Sequence, residues 1–299
     1  MPQTTADLAL IVVSYRSHRL LERNLAPLAA VLGARCVVVD NWSDAPEREA
    51  VHQLGERHGW TVLDAPNDGF GAGVNLAARQ ALADGATVLA VLNPDLSLEP
   101  QHLLTLVDEV RHDPMTLAGP QVVDAAGRPS RVGGIDWRRG RTVPTGPAPE
   151  WLSGACLVTS AQLWRTLDGF AHDFGMYWED VDLCVRATGA GARLVRRDDL
   201  VAVHDAGGTQ EHAGTRRKSD LYYRANCRGR LVFAARHLDR RARVRWVLWA
   251  PAYARAVVLR GGRRQLLRSP RPVLAAVSGT LAGLRYLLRA PSPERPTHP

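Results

Sequence analysis

The sequence has no close pair of cysteines. Its four, Cys36, Cys156, Cys184 and Cys227, are far apart, and Cys36 and Cys156 lie in apolar, strand-like runs. That spacing excludes zinc knuckles and dithiol chemistry and points to a reducing, cytoplasmic compartment. A basic segment ahead of an apolar core is also absent from the start. MPQTTADLALIVV leads straight into a strand, so no signal peptide is expected. The most apolar late segment, Val244 to Leu259, is interrupted by Pro251 and Arg255 and is too short for a confident membrane span. No zinc-finger spacing or aromatic-laced basic strand is present, which argues against nucleic acid as a partner. Acidic residues are scarce in the tail. Residues 216–299 carry 20 Lys or Arg against 3 Asp or Glu, a balance of +17, whereas the preceding 215 residues carry 18 against 27, a balance of −9. Almost all the basic residues are arginine. An acidic body with a basic tail suggests a tail resting on an anionic membrane surface. Packing as core or as a homodimer interface is the alternative.

What is present begins with TVLAVLNPD, Thr87 to Asp95. A continuous apolar run of this length suits a strand buried on both faces. Pro94 has no backbone donor and restricts the residue before it, so the strand should stop there. Asp95 is then a carboxylate at the carboxyl end of a central strand, where ligands collect in open α/β sheets. The bland alternative is a turn carboxylate. The chain of 299 residues, 45% of them hydrophobic, can bury a sizeable core as one domain, with or without an extension.

Strand and helix patterns alternate over the first 110 or so residues. Leu8 to Ser14, Arg35 to Asp40, Thr61 to Asp64 and Thr87 to Leu92 read as strands; Arg19 to Val31, Pro46 to His58, Val74 to Asp84 and Pro100 to His112 read as helices. Pro27 is awkward inside the first helix. The alternation predicts a doubly wound, mostly parallel sheet. Ser14-Tyr15, Asp40-Asn41 and Asn93-Asp95 then share one crevice. NDGFGAGVN, Asn67 to Asn75, offers three glycines for a tight turn and close approach to a ligand, though its spacing is not the dinucleotide fingerprint. Gly133 to Pro149 is rich in Gly, Pro and Arg, and residues 128–149 read as loops or an excursion over the active site. WLSGACLVTS, Trp151 to Ser160, reads as a strand or strand pair with a bulge or ligand near Gly154. Ala161 to Leu167 and Glu179 to Ala187 read as helices, with Asp182 and Arg186 able to pair four apart. Arg193 to Arg196 and Leu200 to His204 read as short strands before a flexible Gly207-Gly208. Leu221 to Arg236 reads as a long helix. Val244 to Leu259 and Pro272 to Leu288 read as interfacial segments or as packing on the body, and the proline-rich end after Ala290 as disordered.

The ordered set IVVSY, VVVDNWS, NDGFGAGVN, VLNPD, WLSGACLV, MYWEDVDLCVR and VHDAGG, from about Leu8 to Thr209, resembles the family 2 glycosyltransferases of GT-A fold, especially their rhamnosyltransferase-like branch. The resemblance implies an α/β GT-A domain over 1–215, with nucleotide-sugar binding in 1–115 and an acceptor and catalytic half in 116–215. A basic, partly amphipathic helical extension would occupy 216–299. It implies that Ser14, Tyr15, Asp40 and Asn41 contact the nucleoside. Asn67, Gly71, Asn75 and Asn93 would frame the nucleotide and diphosphate. Asp95 and His204 would bind Mg²⁺ or Mn²⁺, a donor set that suits such ions. Asn93-Pro94-Asp95 stands where the family's DxD-type motif would, with Asn in place of the first acid.

The same resemblance makes Asp180 the general base of an inverting transfer, with Glu179 orienting the acceptor or replacing it. Trp151, Gly154 and Trp178 would line the acceptor site. The donor it implies is dTDP-L-rhamnose, with UDP-sugars as alternatives. The acceptor would be a polyprenyl-diphosphate-linked sugar or a cell-envelope glycan, or else a small molecule. The enzyme would sit on the inner face of the plasma membrane. A nucleotidyltransferase is the competing enzyme class, and it would need a Gly- and basic-rich loop after the first strand that Ser14-Tyr15-Arg16-Ser17 does not provide.

Overall fold

The computed structural model describes residues 5–129, 133–144, 148–205, 218–267 and 269–291. Gly207-Gly208 and the chain beyond Pro291 lie outside the described residues. Four parallel strands form one half of the main sheet: β1 (Leu8–Ser14), β2 (Arg35–Asn41), β3 (Thr61–Ala65) and β4 (Val88–Leu92). Their order is β3-β2-β1-β4. The chain steps outward from β1 in one direction and then returns to its other side, which makes β1/β4 the topological switch point. Between them run α1 (His18–Leu20), α2 (Ala26–Leu32), α3 (Ala45–His58) and α4 (Phe70–Ala83). Leu8, Leu10 and Val12 enter one core with α2, while Ala9, Ile11 and Val13 enter the other with α4. The strict alternation of faces explains why every residue of β1 is buried.

The awkward Pro27 is accommodated without breaking the helix. A π turn, Leu21–Leu25, separates α1 from α2 and places Pro27 in the first turn of α2, where its missing N–H is not needed. Helix α4 begins at Phe70, four residues before the expected Val74. Gly71 and Gly73 are inside it, facing Phe170 and Val13 with no room for a Cβ. They let α4 dock closely, a packing role that the sequence pattern alone reads as a loop.

β4 passes through Asn93-Pro94-Asp95 into β5 (Leu96–Leu98), followed by α5 (Pro100–His112) and β6 (Thr116–Val123). The hairpin β7 (Gly133–Asp136) and β8 (Arg141–Pro144) lies where loops alone were expected. β9 (Cys156–Ser160) is shorter than the apolar run suggested; Trp151 to Ala155 lead into it as irregular chain. α6 (Ala161–Leu167), α7 (Glu179–Gly189) and β10 (Arg193–His204) complete the sheet, whose full order is β3-β2-β1-β4-β9-β6-β10-β5. β9 is antiparallel to β4 and β6, and β5 is antiparallel to β10. The three residues between β4 and β5 reach about 14 Å, less than the roughly 19 Å of four flat strand spacings. The sheet must therefore curl. The β10 register shifts between Arg197 and Val201, an irregularity of the kind that bends a strand.

The last third of the chain is helical: α8 (Asp220–His237), α9 (Arg240–Leu248), α10 (Ala250–Leu259) and α11 (Arg271–Arg289). These helices bury a third core that includes Tyr223, Phe233, Trp246 and Val257, and this core is continuous with Phe174, Trp178 and Val181 at the start of α7. Among the described residues no helix is long and apolar enough to cross a membrane.

Candidate active site

The carboxyl ends of β1, β2 and β4 carry the crevice. At β2, Asp40 is fully buried; its Oδ2 accepts from Arg48 Nε at 3.0 Å, while its Oδ1 has no hydrogen-bond partner. Asn41 donates through Nδ2 to Asn67 Oδ1 at 3.1 Å, and its own Oδ1 is also buried and unpartnered. An unpaired buried acceptor costs free energy, so two side by side mark a place prepared for a donor group. Tyr15 at the end of β1 is 40% exposed. Beside Asn41, Trp42 is 64% exposed in a left-handed backbone conformation, φ 64°. An aromatic residue held there is strained, and nothing in the sequence pattern singled it out. Ser14 differs from the expectation in one respect: it is wholly buried and its hydroxyl already pairs with Ser17 Oγ at 2.8 Å.

The β5–β10 register sets His204 opposite Leu96. That brings His204 Nε2 to 3.0 Å from Asp95 Oδ1 and 3.3 Å from Asn93 Nδ2, across more than a hundred residues of sequence. The Asp205 backbone N–H donates to the Asp95 carbonyl at 3.0 Å and fixes the junction. A carboxylate and an imidazole converging at this distance fit a hard or borderline divalent cation. Among the described residues no set of three His, Cys, Asp or Glu could enclose a metal. Asp95 and His204 would be the protein's share of the shell.

Two residues expected at the diphosphate have other work. Asn75 is buried and binds the Phe170 backbone with both amide atoms, donating to its carbonyl at 2.8 Å and accepting its N–H at 2.9 Å. Gly71 packs on Phe170. The Asn75 amide is thus fully committed to Phe170.

The second cluster sits at the start of α7. Tyr177 and Trp178 both have positive φ, 65° and 77°, so the chain turns sharply just before Glu179 and Asp180. Gly229 of α8 makes this possible, since a Cβ there would lie 2.5 Å from the Tyr177 carbonyl oxygen. Trp178 corrects a second expectation. It is 4% exposed, packs on Phe233, Trp246 and Tyr253, and donates its indole N–H to Tyr253 Oη at 3.2 Å. No ring face is left for a sugar. Trp151 is half-buried and spends its indole N–H on the Gly134 carbonyl at 3.2 Å. Gly154 serves Asp180 instead, donating its N–H to Oδ2 at 3.1 Å, while the Val181 N–H reaches Oδ1 at 2.9 Å.

Glu179 and Asp180 are adjacent but differ. Burial and the neighbouring Asp180 charge push the Glu179 carboxyl up to about 8, and its Oε2 has no partner. Burial also raises Asp180, but the N–H groups of Gly154 and Val181 oppose the shift. The pair therefore shares its ionisation unequally, with Asp180 the partly buried, N–H-bonded member. Two residues on, Asp182 is fully buried and structural. Burial alone would raise it; the His237 hydrogen bond and the charges of Arg186, His237 and Arg236 prevail and hold it well below the usual carboxylate range. Arg186 Nε, Arg236 Nε and His237 Nε2 each lie 2.8 Å from its oxygens.

The mostly parallel sheet, with buried polar groups at the ends of β2 and β4 and a separate carboxylate pair at the start of α7, has the architecture of a GT-A glycosyltransferase. The chain belongs to glycosyl transferase family 2, whose model matches residues 9–173. It is 28% identical to the N-acetylglucosaminyl-diphospho-decaprenol L-rhamnosyltransferase of Mycobacterium tuberculosis, covering 92% of this chain and 99% of that protein. It is 23% identical to the low-salt glycan biosynthesis hexosyltransferase Agl10 of Haloferax volcanii, over 67% of each chain. Among solved structures it resembles S. aureus TarS 1-349 in complex with UDP-GlcNAc (TM-score 0.52, 16% identity, 94% of this chain and 90% of that one). It also resembles GalNAc-T7 with UDP, GalNAc and Mn²⁺ (TM-score 0.53, 13% identity), covering 66% of this chain but only 42% of that one.

Proposed function

We propose that this glycosyltransferase is an inverting, metal-dependent enzyme that moves L-rhamnose from dTDP-L-rhamnose to a hydroxyl of a lipid-linked or cell-envelope glycan. The observation that carries the chemistry is the division within the carboxylate pair: Glu179 keeps a buried oxygen without a partner, which favours its neutral form, while Asp180 has two backbone N–H groups supporting its charge. Similarity to the decaprenol-linked rhamnosyltransferase over nearly the whole chain supports the donor and the acceptor class. An acceptor of that class is anchored in a membrane, so the enzyme works at the inner face of the plasma membrane.

Asp40 accepts the single ring N–H of the pyrimidine through its unpaired oxygen, the Asn41 oxygen lies beside it for a ribose hydroxyl, and Tyr15 and Trp42 supply exposed rings at the same strand ends. Asp95 and His204 would hold Mg²⁺ or Mn²⁺, which when bound offsets the charge gathering on the diphosphate. Asp180 takes the proton of the acceptor hydroxyl as its oxygen attacks the anomeric carbon from the face opposite the diphosphate. The new glycosidic bond forms, the bond to the diphosphate breaks, and the proton remains on Asp180. Trp151 packs against both the second and the third cores, and as an acceptor-site residue it would present the rest of its ring to the acceptor.

The test is incubation of the protein and a polyprenyl-diphosphate-linked sugar with dTDP-L-rhamnose and with UDP-sugars, each with Mn²⁺ and with chelator. Transfer and dTDP release only with dTDP-L-rhamnose, abolished by chelator, are expected. Transfer from a UDP-sugar would replace the donor assignment. Formation of a sugar nucleotide from a triphosphate would overturn the reaction class.

A further inference from the structure

Helix α11 has three faces. Pro272, Ala276, Gly279, Gly283 and Leu287 are buried. Gly279 and Gly283 lie directly on the backbone of α8 at Arg224 and Arg228, where no Cβ would fit, so this face is fixed to the body. A second face carries Val273, Leu274, Val277, Leu281 and Leu288, which are 44%, 61%, 47%, 49% and 74% exposed. At 3.6 residues per turn these five fall within about 100° of the helix circumference. They form one continuous stripe of large aliphatic side chains in contact with nothing that hides them. The third face, immediately beside the stripe, carries exposed Arg271, Arg285 and Arg289.

The stretch of chain that carries the stripe has charge of one sign. From Arg240 to Pro291 the chain contains twelve arginines and no Asp or Glu. A soluble helix packed only through its small-residue face would place polar side chains on its outer surface. Here the outer surface is aliphatic and bordered by cations. That combination matches a helix lying in the plane of a bilayer, with aliphatic side chains among the acyl chains and guanidinium groups among anionic headgroups. A homodimer across this face would bring the arginine borders of two copies together without a carboxylate between them.

We propose that the aliphatic stripe of α11, with Arg271, Arg285 and Arg289, is the surface by which the protein docks on an anionic lipid bilayer. The proposal rests on the reading of the acceptor as lipid-linked and gives it a place on the molecule. Docking through α11 holds the body against the membrane through α8. Gly229 and Tyr223 of that helix also support the turn ahead of Asp180 and its aromatic core. The surface that meets the lipid and the turn that sets the base are therefore joined by one rigid helix.

The experiment is sedimentation of the full chain with phosphatidylcholine vesicles and with vesicles containing phosphatidylglycerol. Donor affinity, thermal unfolding and mass in solution are measured on the same samples. Binding to the anionic vesicles, weakened by salt, is expected. The variant Leu274→Glu/Leu281→Glu should partition about tenfold less or weaker, and Arg285→Glu/Arg289→Glu should lose the preference for anionic lipid, both with unchanged donor affinity and unfolding temperature. Equal sedimentation of the unaltered and altered chains would overturn the proposal. So would a stable dimer that Leu274→Glu/Leu281→Glu converts to monomer. Loss of donor binding with vesicle binding retained would count against the proposed reaction and not against the docking surface.

Discussion

The strand-end crevice and the junction between α7 and α8 treat buried polar groups in opposite ways. At the crevice, Asp40 and Asn41 each keep an oxygen without a partner, and at the start of α7 so does Glu179. At the junction, Asp182 is equally buried, yet it is met by Arg186, Arg236 and His237. Glu179 and Asp182 are three residues apart on one helix and differ in the same sense. Complete pairing makes a scaffold, because nothing is gained by admitting a ligand. Incomplete pairing is tolerated where a ligand or a proton will complete it.

Breaking the hub should have the largest effect. Asp182→Asn leaves Arg186, Arg236 and His237 without their shared anion, and chemical denaturation should show a loss of about 3–5 kcal/mol. The next effect sharpens the contrast through pH. The Glu179 carboxyl titrates near its ordinary 4.5 when unfolded and near 8 when folded. Between those values the folded state keeps a proton that the unfolded state has released, so stability falls as pH rises through that window. Glu179→Gln should flatten this decline, whose slope for one group is at most about 1.4 kcal/mol per pH unit; a pH series of unfolding curves measures it. Gly229→Ala forces a methyl against the Tyr177 carbonyl and should cost about 1–3 kcal/mol. It should also lower kcat more than it raises KM, because the turn that aims Asp180 moves. Asp40→Ala should leave the hub untouched and weaken donor binding by about 1–2 kcal/mol, roughly tenfold by calorimetry.

Much of the donor half is legible from the sequence because its signals are local. Buried parallel strands read as apolar runs, and α5 falls where its periodicity and end residues place it. The harder parts depend on contacts between distant segments. Asp182 and Arg186 are readable as a helical pair, but Arg236 and His237 come from α8, so the hub is invisible in the sequence of α7 alone. Trp178 resembles an open aromatic platform until α8 and α10 cover it. Gly71 and Asn75 resemble a phosphate loop because a helix with glycines in its first turn has the composition of one. The meeting of Asp95 with His204 depends on the curl of the sheet and the register of β5 on β10, which no spacing records. Trp42 carries no pattern at all; only its exposure and its positive φ distinguish it.

The central claim is that one helix start holds the proton chemistry while the strand ends hold the donor. Asp180→Asn tests it most directly, with donor affinity and transfer rate measured on the same protein in the presence of Mn²⁺. The account predicts donor affinity unchanged and transfer slowed by about 10²- to 10⁴-fold, the usual contribution of a general base. Transfer at the full rate with Asp180→Asn would contradict it.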